Sequence, residues 1–155
     1  MESREFKPFG SVSALTLGGG GIGNVWGETS KEESIASVHL ALESGIDHLD
    51  VAPMYGKGEA ERVVGEAIKE RSRDSFRLTT KCALGSMPDE EVYDRFNTSL
   101  IRSLDTMGTD YVDLFLLHSQ LIENDHESQK PDSSFVATGN LTTLKSFYDA
   151  FVPAM

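Results

Sequence analysis

The chain has 155 residues, of which 14 are Lys or Arg and 25 are Asp or Glu, so its formal net charge is −11. A hydrophobic fraction of 39% excludes a disordered chain, and the acidic balance argues against nucleic acid or an anionic membrane as partner. The single cysteine, Cys82, excludes an intramolecular disulfide framework. Because the sequence also lacks a signal-peptide pattern and an apolar run of about 18 residues, we expect a folded, cytoplasmic protein.

The hydrophobic pattern repeats a strand, a loop and a helix, which is typical of a parallel α/β fold. Residues 12–17 are predicted as a strand, and a capping box of Ser30 and Glu33 opens a helix that Gly45 ends. The second unit is predicted as a strand over 48–52 with a helix over 60–68. The third is predicted as a strand over 76–81 with a helix that begins around Ser86, Pro88 and Asp89 and ends at Gly108. A fourth strand is predicted over 111–117. The last of these four strands is the most apolar, and we expect it to be covered on both sides.

Beyond the fourth strand, residues 123–139 are predicted as a long exposed loop because Asp, Glu, Ser and Gln dominate the first part of this stretch. A final helix is predicted to begin near Thr142. Its apolar face would carry Leu144, Phe147, Tyr148 and Phe151.

The glycine cluster from Gly18 to Gly23 formally fits the G-x-G-x-x-G fingerprint of dinucleotide-binding proteins. That fingerprint works by placing a helix N-terminus directly at the pyrophosphate, whereas here the next helix is predicted to wait until about Ser30. We therefore do not interpret the cluster as this fingerprint. Two interpretations stay open: a tight bend where the backbone passes close to another segment, and a close approach to a flat ligand.

Four polar residues stand at or just beyond the ends of predicted strands: Asp50, Tyr55, Lys81 and His118. Each has a structural explanation by itself, as a turn cap, a rim-packing ring, a paired buried lysine or an edge histidine. In a parallel α/β architecture, however, the carboxyl ends of all strands open on one face, so the four side chains are predicted to converge.

The chemistry of the four residues fits reduction of a carbonyl group. Burial disfavours a charged lysine unless a carboxylate pairs with it, and Asp50 supplies that carboxylate. A tyrosine phenol, whose pKa is ordinarily about 10, can act as a general acid near neutral pH when a neighbouring ammonium favours the phenolate. The set thus predicts Tyr55 as proton donor to an aldehyde or ketone, with His118 donating a hydrogen bond to the substrate oxygen.

The order and spacing of several motifs resemble the aldo-keto reductase family. The residues that carry the resemblance are Asp50-Val51-Ala52-Pro53-Met54-Tyr55-Gly56, Gly58-Glu59-Ala60-Glu61 with Gly65-Glu66-Ala67, Thr79-Thr80-Lys81, and the run from Asp110 to His118. The resemblance extends from about Leu15 onward. It implies a (β/α)8 TIM barrel, a catalytic tetrad of Asp50, Tyr55, Lys81 and His118, and NADPH as cofactor, with NADH as the alternative.

The resemblance also implies which residues border the cofactor and the substrate. Gly23 and Asn24, together with Asp50, are expected at the nicotinamide end of the cofactor. Trp26 and His118 are expected beside a small-molecule carbonyl substrate, although Trp26 would look the same from sequence as a residue that packs at the barrel rim.

A barrel of eight units needs on the order of 200 to 250 residues, whereas this pattern supplies about four βα units. We therefore expect residues 1–155 to form the N-terminal half of a single barrel domain, truncated before the loops after strands seven and eight that hold the cofactor phosphate. Such a fragment should bind NADPH weakly and turn over poorly or not at all. Its open sheet edges should favour self-association.

Two other function classes stay open. One is a non-catalytic fragment or interaction protein that retains the half-barrel, and the other is a metal-dependent hydrolase using Asp50 and His118. His39, His48 and His126 lack the spacing of metal ligands, so no metal site is expected. Cys82 has two interpretations as well: a small buried residue, or a thiol activated by the adjacent Lys81.

Overall fold

The computed structural model describes residues 1–7, 9–85, 87–123 and 141–155. The predicted loop over 123–139 lies outside these residues except for Glu123, and so does Ser86. The chain divides into two compact units: Met1–Lys81 with Arg102–Phe115, and Cys82–Ile101 with Leu116–Met155. Within the described ranges, none of the helices combines the length and the apolar character that a membrane crossing needs.

Most residues of a four-stranded sheet belong to the first unit. Its strands, in spatial order, are β3 (Leu17–Gly18), β4 (His48–Asp50), β5 (Arg77–Cys82) and β6 (Leu114–Leu117), and β4 runs parallel to both β3 and β5. Asp50 lies opposite Gly18 on one side and Thr79 on the other. The four strands predicted from the sequence correspond to this sheet, and the described residues contain four further short strands outside it, which the sequence did not predict.

The first predicted strand, 12–17, is wrong in detail because its residues belong to two elements. Strand β1 (Ser3–Phe6) pairs antiparallel with β2 (Gly10–Ser13), and β3 begins only at Leu17. Residue Ser13 ends the hairpin: its N–H donates to the Asp47 carboxylate at 2.8 Å and its hydroxyl accepts from the Asp47 N–H at 3.0 Å. These two bonds fix the chain at the start of β4, so the strand pattern stops there and resumes in β3.

Helix α1 (Lys31–Glu43) begins as the sequence predicts. The Ser30 hydroxyl accepts from the Glu33 N–H at 3.2 Å and the Ser30 N–H donates to the Glu33 carboxylate at 3.1 Å, which completes the capping box. Gly45 adopts a φ of +84° beyond the helix end. Helix α2 (Glu59–Ile68) buries the predicted apolar stripe. The core of the first unit consists mainly of Val38, Leu49, Val51, Ala60, Val63, Val64, Ala67, Phe76, Leu78 and Met107.

Helix α3 (Val92–Met107) starts a few residues later than predicted, after a 3-10 turn over Asp89–Glu91, and ends before Gly108 as predicted. Val92 and Phe96 are buried on its core face. The strand after it departs from expectation: three residues of β6 are half-buried, and Leu116 is 40% exposed. The prediction that this strand is covered on both sides was therefore wrong, because the described residues leave part of its apolar surface in solvent.

The second unit contains two short parallel strands that the sequence pattern did not reveal, β7 (Gln120–Ile122) and β8 (Leu141–Thr143). Helical segments follow as α4 (Leu144–Ser146), a π-helical turn (Phe147–Phe151) and α5 (Val152–Ala154). Thr143 caps α4 by accepting from the Ser146 N–H at 3.0 Å, close to the predicted start. Phe151 is buried, but Tyr148 is 64% exposed, so its predicted place on the buried face was wrong.

Candidate active site

An ion pair joins the ends of β4 and β5. The Lys81 ammonium donates to the Asp50 carboxylate and, at 2.9 Å, to the backbone carbonyl of Val51. Lys81 is only 8% exposed, so its charge depends on these two acceptors, while about a third of the Asp50 side chain faces solvent. The pair thus holds the Lys81 ammonium in place at the carboxyl ends of the strands.

Tyr55 lies in the turn between β4 and α2, beside this ion pair. The Lys81 Nζ atom stands 4.8 Å from the centroid of the Tyr55 ring. The Tyr55 ring is half-buried and packs against the core, and its backbone N–H donates to Ala52 at 3.0 Å. The structure therefore brings three of the four predicted residues, Asp50, Tyr55 and Lys81, together within one unit.

His118 follows β6 and belongs to the second unit. It is half-buried, and its backbone N–H donates to the carbonyl of Cys82 at 2.7 Å. Only the sequence motif assigns His118 to the site, so this assignment stays a prediction.

The glycine cluster passes close to the Tyr55 turn. A Cβ on Gly19 would lie 3.2 Å from the Tyr55 ring and 2.9 Å from Val51, and one on Gly23 would lie 3.1 Å from the Tyr55 backbone. These glycines are followed by a run of turns and not by a helix. This agrees with the sequence-based prediction that the cluster is not the dinucleotide-binding fingerprint. Gly19 and Gly23 are thus required for close packing, which favours the first of the two interpretations of the cluster.

The remaining predicted contact residues lie in the same loop. Asn24 has a φ of +61°, and its side-chain carbonyl accepts from the Thr29 N–H at 2.6 Å. Trp26 is 68% exposed, and its indole lies over Gly20, where a Cβ would come within 3.0 Å of the ring. The cofactor role of Gly23 and Asn24 and the substrate role of Trp26 stay predictions.

Two polar pairs beside the site were missed by the sequence analysis. Glu61 of α2 is buried and accepts a hydrogen bond from the Thr80 hydroxyl at 2.7 Å, and His48 contacts Thr79. A signal existed for each pair. Glu61 occupies a position of the apolar stripe of α2, and the alternation His48-Leu49-Asp50 gives β4 one polar face.

Cys82 is fully buried at the end of β5. Burial raises the pKa of its thiol, while a hydrogen bond with Ser99 and the charge of Arg95 act in the opposite direction. A buried thiol with a raised pKa is a poor nucleophile, so the structure favours the interpretation of Cys82 as a packing residue. Within the described ranges, no three His, Cys, Asp or Glu side chains are grouped so as to hold a metal ion.

The sequence model of the Aldo/keto reductase family matches residues 14–141. The chain belongs to this family. It is 39% identical over 146 residues to the aldo-keto reductase YhdN of Bacillus subtilis, covering 90% of this chain and 40% of the relative. It is 31% identical over 125 residues to the NADH-specific methylglyoxal reductase of Escherichia coli, covering 72% of this chain and 38% of that enzyme.

Among solved structures, the chain is similar to an aldo-keto reductase from Klebsiella pneumoniae in complex with NADPH. The TM-score is 0.63 at 28% identity, with 76% of this chain and 39% of that chain covered. The chain thus spans about 40% of the length of the relatives it matches. Its fold is that of an aldo-keto reductase (β/α)8 barrel, of which it supplies about four βα units, as the sequence predicts.

Proposed function

We propose that this chain carries the proton-transfer site of an NAD(P)H-dependent reductase of aldehyde or ketone carbonyls. The observation that carries the proposal is the Lys81 ammonium, held by Asp50 and Val51 at 4.8 Å from the ring of Tyr55. Membership of the family supports the same reaction class. Among the described residues, no side-chain geometry gives comparable support to the barrel hydrolase.

In the proposed reaction, Tyr55 donates its hydroxyl proton to the carbonyl oxygen. The phenolate that remains is stabilised by the Lys81 ammonium, and Asp50 with the Val51 carbonyl keeps that ammonium in place. His118 donates a hydrogen bond to the substrate oxygen, and Trp26 borders the substrate. When bound, the nicotinamide cofactor supplies the hydride that the carbonyl carbon accepts, so the products are an alcohol and the oxidised cofactor.

The residues present fit the nicotinamide end of such a cofactor. The Asp50 carboxylate is partly exposed and can accept further hydrogen bonds, and the adjoining loop offers Gly23 and Asn24. We assign NADPH as the cofactor, since the similar Klebsiella pneumoniae structure contains it. NADH is the alternative, because the Escherichia coli relative is NADH-specific by name.

We further propose that residues 1–155 are the N-terminal half of a single barrel domain. Barrel enzymes commonly hold phosphate with the loops after strands seven and eight, and this chain covers about 40% of its relatives. The chain alone is therefore expected to bind NADPH weakly and to reduce carbonyls poorly or not at all. An NADPH oxidation rate that Tyr55→Phe abolishes in the 155-residue chain would contradict this expectation.

A chimaera tests the catalytic assignment. Residues 14–141 replace the matching segment of the Bacillus subtilis relative, and NADPH consumption is measured with an aromatic aldehyde. Tyr55→Phe should lower kcat by about 10²- to 10⁴-fold, because the general acid is lost. Tyr93→Phe, at an exposed ring of α3, is the matched control and should leave kcat unchanged. Equal activity of the Tyr55→Phe and Tyr93→Phe chimaeras would reject the proposed function in favour of a non-catalytic role.

A further inference from the structure

A second side-chain contact joins β4 and β5, two residues before the Asp50–Lys81 ion pair on each strand. The Nε2 atom of His48 lies 2.7 Å from the Thr79 hydroxyl, and two residues further along both strands Lys81 meets Asp50. Both pairs are separated by 31 residues in sequence. Because side chains alternate along a strand, His48 and Asp50 share one face of β4, and Thr79 and Lys81 share the same face of β5.

The contacts of His48 suit a neutral imidazole. Its Nδ1 atom lies 3.3 Å from the Thr16 hydroxyl, so each ring nitrogen faces a hydroxyl group that can either donate or accept. An imidazolium would instead donate from both nitrogens. Both hydroxyls would then have to accept, whereas the neutral ring requires this of only one of them.

Charged groups surround His48 on several elements. The carboxylates of Asp50, Asp47 and Asp113 raise the pKa of His48, and the Arg77 guanidinium lowers it. Burial is the largest influence and brings the pKa below the ordinary value of 6.5. Burial therefore favours the neutral imidazole of His48 relative to a solvated histidine.

We propose that His48 is a positioning residue of the candidate site and couples the Asp50–Lys81 pair to pH. The neutral ring holds Thr79 and with it the strand segment that carries Lys81. Protonation adds a second cation on the same face as Asp50, and this cation competes with Lys81 for the carboxylate. The Lys81 ammonium is then held less firmly beside Tyr55, so the site works less well at the low pH at which His48 is protonated. The catalytic consequence rests on the proposed function, whereas the coupling itself does not.

Nuclear magnetic resonance of the full 155-residue chain tests the coupling without any need for activity. The chain carries carbon-13 in its histidine and tyrosine rings, and the His48 and Tyr55 resonances are assigned by their loss in His48→Gln and Tyr55→Phe. In the unaltered chain, the Tyr55 resonance should shift with the same midpoint as His48, below pH 6.5. This component should disappear in His48→Gln and persist in the control His39→Gln, which removes the imidazole of α1 that contacts Ala67.

The proposal would be overturned if the Tyr55 resonance did not shift when His48 titrates, or if the shift with the His48 midpoint persisted in His48→Gln. If circular dichroism shows that His48→Gln does not fold, Asp50→Asn replaces it. The His48 midpoint should then move to lower pH, because the carboxylate that favours the imidazolium is lost, and an unchanged midpoint would count against the coupling. If the coupling is present but Tyr55→Phe leaves the chimaera active, the proposed function fails and the positioning role of His48 stands.

Discussion

The Thr80 hydroxyl is a hydrogen-bond partner of a carboxylate that is almost fully buried, since Glu61 is only 2% exposed and the two oxygens lie 2.7 Å apart. Thr80→Val keeps the shape of the side chain and removes the donor. We expect the free energy of unfolding, measured by urea denaturation, to fall by about 1.5 to 3 kcal/mol, as for a hydrogen bond to a charged group. Thr80→Ser keeps the hydroxyl and should lose less. A Thr80→Val chain as stable as the original would show that this bond contributes nothing.

At this scale, the sequence predicts the residues that belong to a motif and misses those that depend on strand register. Asp50, Tyr55 and Lys81 could be grouped because strand ends converge in a parallel α/β fold. Glu61 was missed although it lies in the apolar stripe of α2, because an acidic residue in the first turn of a helix is usually solvated and favoured by the helix dipole. Only the structure shows that Thr80 faces α2, one residue before Lys81 faces Asp50.

Helix α2 approaches the end of α3 so closely that Gly65 has no room for a side chain. A Cβ there would lie 2.9 Å from the Met107 Cα and 3.0 Å from the carbonyl oxygens of Thr106 and Met107. Gly65→Ala gains up to about 1 kcal/mol of helix propensity. Overpacking against backbone, however, typically costs about 1–3 kcal/mol. We expect the urea midpoint to fall.

Glu66→Ala is the matched control for Gly65→Ala, because it changes the next residue of α2 at an exposed position whose ion pair with Lys69 is at the surface. Surface pairs of this kind contribute about 0–1 kcal/mol, so its midpoint should change little. A higher midpoint for Gly65→Ala than for the original chain would mean that the two helices can move apart at little cost.

Elements with local signals are predicted well, and elements formed by distant segments are not. The start of α1 follows from Ser30 and Glu33, three residues apart, whose bonds need nothing else in the chain. Strands β7 and β8 exist only because Gln120 pairs with Leu141, and β2 exists because Val12 pairs with Arg4. Such pairings depend on tertiary packing, which outweighs local strand propensity.

On the scale of the whole molecule, the two edge strands of the four-stranded sheet are the places where a barrel would continue. The four-stranded sheet ends in β3 on one side and β6 on the other. Strand β6 is the most apolar stretch of the sequence, yet no residue of it is fully buried. Parallel strands are normally covered on both faces, and open apolar edges favour pairing with another chain. In a complete (β/α)8 barrel a further strand would pair with β6, whose residues are only partly buried here.

We therefore expect the 155-residue chain to self-associate through β6. In sedimentation velocity, the weight-average mass should exceed the monomer mass of 17.0 kDa and rise with concentration. Leu116→Lys should return the chain toward the monomer, because a charge on an edge strand opposes pairing and Leu116 is already 40% exposed. Leu40→Lys makes the same change at a more exposed position on α1 and should leave association intact. A single species of monomer mass at every concentration would show that the open edges are closed within the chain itself.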